Sequence, residues 1–154
     1  MNNYNIPFRE TEDDIIINIL QKINLQNSDI FIDIGCGNGI VIELVKKMYP
    51  NVECIGIEID TKYYIESCTR LKNYNKVKII QEDLRTFDWS KITSDCNIYY
   101  YMAWTKIYLN DFNFNNLKNS TLIIYKHELQ KPEMKYYDII KSNIPYNHVY
   151  FYRI

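Results

Sequence analysis

The chain has 154 residues, 47% of them hydrophobic, with 18 Lys and Arg against 19 Asp and Glu. That length supports one core, and a net charge of −1 argues against affinity built on counterion release from nucleic acid without excluding a local basic patch. No apolar run is long enough for a membrane span, and Cys36, Cys54, Cys68 and Cys96 form no Cys-x-x-Cys pair, so neither a zinc site nor a disulfide framework is indicated.

The cysteines read as reduced thiols, which suits a cytoplasmic or otherwise intracellular protein. Residues 1–10 form a polar arm around Ile6-Pro7-Phe8. Thr11 is the expected cap of a first helix, with Glu12, Asp13 and Asp14 in its first turn and Ile15, Ile16, Ile19, Leu20 and Ile23 as its apolar stripe. Strands are expected at 30–34, 53–57, 77–81, 96–102 and 120–126, with helices at 38–49 and 61–73 and a weaker one at 105–118. Pro50 and Asn51 stop the helix before them. Tyr137 to Lys141 reads as a helix turn or a strand, and Asn143 to Tyr146 as a turn containing Pro145. A terminal hairpin pairing 136–142 with 147–153 is the chosen reading. The alternation predicts one α/β domain over 1–154, with a mostly parallel, doubly wound sheet and an antiparallel C-terminal hairpin.

Phe31-Ile32-Asp33-Ile34-Gly35-Cys36-Gly37-Asn38-Gly39 runs an apolar strand into a glycine-rich turn. The glycines allow a tight turn and close approach to a ligand, and the helix starting near Asn38 aims unpaired amides at it. Ile40 stands where the dinucleotide fingerprint would need its last glycine. Asp-x-Gly-x-Gly-x-Gly instead resembles motif I of the class I S-adenosylmethionine (SAM) methyltransferases, with Cys36 as a small loop residue. The resemblance implies a Rossmann-like fold and SAM as cofactor.

Three acids fall at the ends of successive strands, where ligands bind in open α/β sheets. Glu58, with Ile59 beside it, ends the second strand and can accept from both ribose hydroxyls. Asp83 can accept from the adenine amino group, and the Leu84 amide can donate to the neighbouring ring nitrogen. Asp33 can order the loop and face the ligand's ammonium group through a water.

The fourth strand continues Tyr99-Tyr100-Tyr101-Met102-Ala103-Trp104. It lacks the Asp/Asn-Pro-Pro-aromatic run usual in enzymes that methylate amino groups of adenine, cytosine or glutamine. Tyr101 and Trp104 could wall a narrow channel for an alkyl chain ending in nitrogen, or simply pack between sheet and helices. Tyr99 and Tyr100 read as packing residues.

Over nearly its full length the chain resembles a compact family of class I protein lysine methyltransferases, which includes archaeal enzymes and the mitochondrial enzyme acting on the ATP synthase c subunit. Ile6-Pro7-Phe8 with Thr11, His127-Glu128-Leu129 and Asn147-His148 carry the part of that likeness not shared by other methyltransferases. Glu10 and Glu12 stand where that family has prolines. The likeness implies a protein lysine as acceptor, an arm closing over SAM, and Thr11, Tyr101 and Trp104 on the substrate side; His127 and His148 read as structural. The other readings are an RNA or small-molecule methyltransferase on the same core, and a SAM-binding subunit without catalysis.

Overall fold

Ile30–Ile34 (β1) has all five residues buried, as a strand covered on both faces requires. The structure is a computed structural model that describes residues 10–92, 94–103, 113–114, 117, 119–131 and 133–154. Around β1 stand Glu53–Glu58 (β2), Val77–Gln81 (β3), Ile98–Met102 (β4), Ser120–Tyr125 (β5), Asp138–Ile140 (β6) and Val149–Arg153 (β7), with helices Asp13–Ile23 (α1), Ile40–Met48 (α2) and Thr61–Leu71 (α3). The sheet order is β3-β2-β1-β4-β5-β7-β6. Pairs β3–β2, β2–β1, β1–β4 and β4–β5 are parallel, whereas β5–β7 and β7–β6 are antiparallel. Strand order therefore reverses between β1 and β4, the switch point at which an open sheet leaves a crevice for a ligand.

Period-two alternation sorts side chains onto two cores. Phe31, Cys54, Tyr101, Ile123, Tyr125 and Phe151 face the α1–α2 side, where they meet Ile16, Ile19, Leu20, Ile42 and Val45. Ile32, Ile55, Tyr100, Leu122, Ile124 and Tyr152 face the other side and pack on Phe87, Trp89, Phe114, Leu117 and Leu129. Among the described residues the three helices contribute buried residues to the first core only, and the second is closed by residues outside them. Each buried Ile or Leu contributes about 1.5–3 kcal/mol relative to exposure.

The expected elements stand with small shifts of boundary. The fourth strand starts at Ile98, the hairpin narrows to Asp138–Ile140 with Val149–Arg153, and Asn143 to Tyr146 forms the turn. The expectation for Thr11 is corrected: Glu12 is the N-cap of α1 and makes no side-chain cap bond. The Thr11 hydroxyl is taken by Tyr101 instead, at 2.7 Å. Residues 1–9, Trp104 and most of the helix expected at 105–118 lie outside the described residues. Among the described residues no helix is long and apolar enough to cross a membrane.

Candidate functional site

The loop after β1 is folded onto the end of β2. Gly35 and Cys36 donate their amides to the Ile57 carbonyl at 2.8 and 3.1 Å, and Gly39 donates to the Cys36 carbonyl at 2.9 Å. Gly35, Gly37 and Gly39 have φ of 78°, 52° and 82°, in the left-handed region that a Cβ disfavours. Gly39 caps α2, and a Cβ there would meet Leu71 Cδ1 of α3 at 2.9 Å. Gly56 gives the loop its seat, since a Cβ on it would lie 2.7 Å from Cys36 Sγ.

Glu58 closes this arrangement. One carboxylate oxygen accepts the Gly37 amide and the other accepts the Asp60 amide, each at 2.8 Å. The residue is nearly buried, and Ile59 after it is 56% exposed, an apolar surface beside the loop. Asp33, one residue before the end of β1, lies on the same face; it is buried, and its Oδ2 has no hydrogen-bond partner among the described residues. Burial first, and the neighbouring Glu58 second, raise its pKa to about 8. A buried acceptor without a partner is costly, so this oxygen is suited to a cationic donor arriving from outside. Burial likewise pushes the Cys36 thiol up, which leaves it an inert packing residue.

Asp83 lies beyond β3 in a tight turn. Its carboxylate accepts the Arg85 amide at 2.9 Å and the Arg85 side chain at 2.9 and 3.0 Å, and this pairing holds it below the usual carboxylate range. Leu84 is partly buried against the second core. The Asp83 oxygens are therefore shared with Arg85 before any ligand contact is counted.

Asn38 gathers partners from distant parts of the chain. Its Nδ2 donates to Glu10 Oε1 at 2.7 Å, its Oδ1 accepts the Ile40 amide at 3.3 Å, and its carbonyl accepts Arg70 Nε at 2.9 Å. Arg70 is itself paired with Glu43 at 3.1 Å. Next to Glu10, Thr11 bonds Tyr101 of β4, and Glu12 Oε2 accepts the Tyr125 hydroxyl of β5 at 2.6 Å. Three consecutive residues thus tie the entrance of α1 to the glycine loop and to two strand ends. Tyr101 is fully buried and stacks on Phe31 with ring centroids 6.3 Å apart. His148 accepts the Ser142 amide on Nδ1 at 3.1 Å, a structural contact in the hairpin neck.

The structure brings Asp33, Gly35 to Gly39, Glu58 and Ile59 together at the C-terminal end of the central strands, with Asp83 and Leu84 beyond β3. Glu10, Arg70 and Arg85 were missed as positioning residues. For Arg85 a signal existed in the Asp-x-Arg spacing; Glu10 and Arg70 act across the fold and carry no local signature.

The sequence pattern of the family described as ribosomal RNA adenine dimethylase matches residues 8–149. The chain belongs to this family. A member of the ribosomal RNA adenine dimethylase family uses SAM, and the residues present fit it: a glycine loop, a carboxylate fixed beside it and an unpartnered buried acceptor. Among curated proteins, 77 residues are 31% identical to a probable cobalt-precorrin-6B C(15)-methyltransferase (decarboxylating) of Archaeoglobus fulgidus, a match covering 50% of this chain. The chain spans about half, 45%, of the length of that relative. Among solved structures, an RNA methyltransferase from Salinibacter ruber in complex with S-adenosylhomocysteine superposes with a TM-score of 0.78 at 15% identity, covering 95% of this chain and 94% of the other. A precorrin-6y methyltransferase from Geobacter metallireducens superposes with a TM-score of 0.68 at 14% identity, covering 96% and 90%. These likenesses show the Rossmann-like class I methyltransferase fold. The expected class I methyltransferase fold is present, and the family that matches is described as ribosomal RNA adenine dimethylase rather than as protein lysine methyltransferase.

Proposed function

We propose that this protein transfers a methyl group from SAM to RNA. The observation that carries the acceptor is the family match over residues 8–149, and the likeness to the Salinibacter ruber RNA methyltransferase over most of both chains supports it. In this reading the Gly35 to Gly39 backbone and Ile59 cover SAM, Glu58 accepts from the ribose, Asp33 faces the ammonium group, and Asp83 with Leu84 receives the adenine. SAM, when bound, supplies an electrophilic methyl group. The chain's own contribution is to hold that ligand in one orientation and to exclude water above β1 and β4, so that alignment with the acceptor lowers the barrier. The sequence at the end of β4 reads Met102-Ala103-Trp104, without the proline motif of amino-group methylases. The acceptor position is therefore to be sought in all four nucleosides rather than in adenine alone.

The identity shared with the precorrin methyltransferase favours a second reading, a small-molecule acceptor. Incubating the protein with radiolabelled SAM and, separately, total RNA, a protein extract and a small-molecule extract decides between these. Label entering RNA, located by nucleoside digestion, is expected. Label in the small-molecule extract alone would establish the second reading, and label in protein alone would restore the lysine acceptor.

A further inference from the structure

We infer that the turn between β6 and β7 is an RNA-contacting surface on which the ring of Tyr146 stacks against an unpaired base of the acceptor. The inference rests on the RNA reading above and adds to it the surface that meets the substrate.

Tyr146 is 80% exposed and Ile144 beside it 61%. The chain does not place tyrosine outside indiscriminately, since Tyr101, Tyr125 and Tyr152 are among its most buried side chains. Among the described residues the exposed large aromatics are Tyr136, Tyr137 and Tyr146, all in the terminal hairpin region. Tyr146 also has φ 68°, a left-handed conformation that a bulky side chain disfavours and that Gly or Asn would adopt more readily. Residues held in such conformations persist where their surroundings impose them, and they cluster at functional sites. The surroundings here are built. Lys126 donates its amide to the His148 carbonyl at 2.8 Å, Ser142 donates to His148 Nδ1, and Ile144 donates to Ser142 Oγ at 3.1 Å. The ring is thus carried on a fixed turn.

Charge and position point to the same occupant. From Ile139 to Val149 the sequence has Lys141 and no Asp or Glu, in a chain whose net charge is −1, and Lys126, whose amide bonds His148, stands beside the turn. Aromatic rings among lysines are the means by which proteins hold single-stranded nucleic acid, bases on the rings and phosphates on the cations. Tyr125 pairs with Val149, so the turn stands at the same end of the sheet as the glycine loop. From β1 to β7 there are three strand spacings, about 14 Å in all, which a short unpaired RNA segment can bridge.

The test measures binding of a labelled, unstructured oligoribonucleotide by fluorescence anisotropy, with SAM affinity and melting temperature on the same samples. Tyr146→Gly is expected to weaken RNA binding by roughly 5- to 150-fold, with SAM affinity unchanged. Its melting temperature should be equal or higher, because glycine accepts the positive φ. Tyr146→Phe keeps the ring and should bind RNA like the parent protein. If the parent methylates RNA but Tyr146→Gly binds it equally well, this surface is overturned and the RNA reading stands. If the parent neither binds nor methylates RNA, both fall.

Discussion

Glu58 Oε2 accepts the Gly37 amide at 2.8 Å, so the carboxylate expected on the ligand's ribose is also the strut of the glycine loop. Its other oxygen holds the Asp60 amide. Each oxygen keeps a second lone pair, so both duties are compatible.

Glu58→Gln separates them from simple packing. The amide has nearly the shape of the carboxylate, but its NH2 group must face one of two backbone donors. SAM affinity should fall by roughly 10- to 150-fold, equivalent to about 1.5–3 kcal/mol for a charge-assisted hydrogen bond. The melting temperature should fall with it. Calorimetry that returns the parent affinity would take Glu58 out of the site.

Asp33 makes a prediction about pH. Its folded-state pKa of about 8 lies above the ordinary aspartate value, so the folded protein keeps a proton that the unfolded chain releases. The stability this contributes is complete below about pH 4 and is lost as pH rises toward 8. The other titratable groups in its electrostatic surroundings are Glu58 and Cys54 of β2, Cys36 of the loop and Tyr101 of β4; burial keeps both thiols and the phenol neutral across this window. Asp33→Asn should therefore flatten the stability of the ligand-free protein between about pH 5 and 8. Pairing with the SAM ammonium group requires the carboxylate, so binding at neutral pH should release close to one proton. Calorimetry in buffers of different ionisation enthalpy reads that proton directly. A heat independent of buffer would mean that Asp33 does not meet the ammonium group.

The strands and the glycine loop were legible because each depends on local pattern: buried strands read as apolar runs, and Gly35, Gly37 and Gly39 mark a backbone that must turn left-handed. The convergence of Asp33 and Glu58 was legible because strand ends in an open sheet meet at one crevice. Thr11 was misread because its helix-capping chemistry is local, whereas its actual partner, Tyr101, is 90 residues away. Asp83 was seen as a ligand contact, but its pairing with Arg85 was not weighed. The lysine acceptor was read from a resemblance in short flanking segments, whereas the family pattern that matches residues 8–149 is that of the ribosomal RNA adenine dimethylases.

The Thr11–Tyr101 pair is buried and links the start of α1 to β4. Removing one hydroxyl strands the other, at a cost of about 1–3 kcal/mol, whereas removing both should cost less than the sum. Tyr101→Phe and Thr11→Val are each expected to lower stability, and the double variant to recover part of the loss. Turnover per folded molecule should follow SAM affinity if the pair only positions the entrance of α1. A loss of turnover at constant SAM affinity in Tyr101→Phe would instead put the tyrosine on the acceptor side.

Gly56 tests whether the loop depends on its seat. The residue pairs with Asp33 on one side and Ile79 on the other, in the middle of β2. A Cβ would stand 2.7 Å from Cys36 Sγ, 2.8 Å from Ile79 Cδ1 and 2.9 Å from Ile42 Cδ1. The two isoleucine methyls are far ends of flexible side chains and can turn aside. The sulfur is one bond from its own Cβ, so it can move only if the glycine loop moves. Gly56→Ala should therefore cost about 1–3 kcal/mol through overpacking, and its SAM affinity should fall as the loop is lifted off β2. Adding Cys36→Ala removes the nearest of the three atoms and leaves both isoleucine contacts. SAM affinity should then recover more completely than melting temperature, since the first reports the loop and the second reports the whole seat. Equal recovery of both, or none of either, would show that the loop does not take its position from the contact between Cys36 and Gly56.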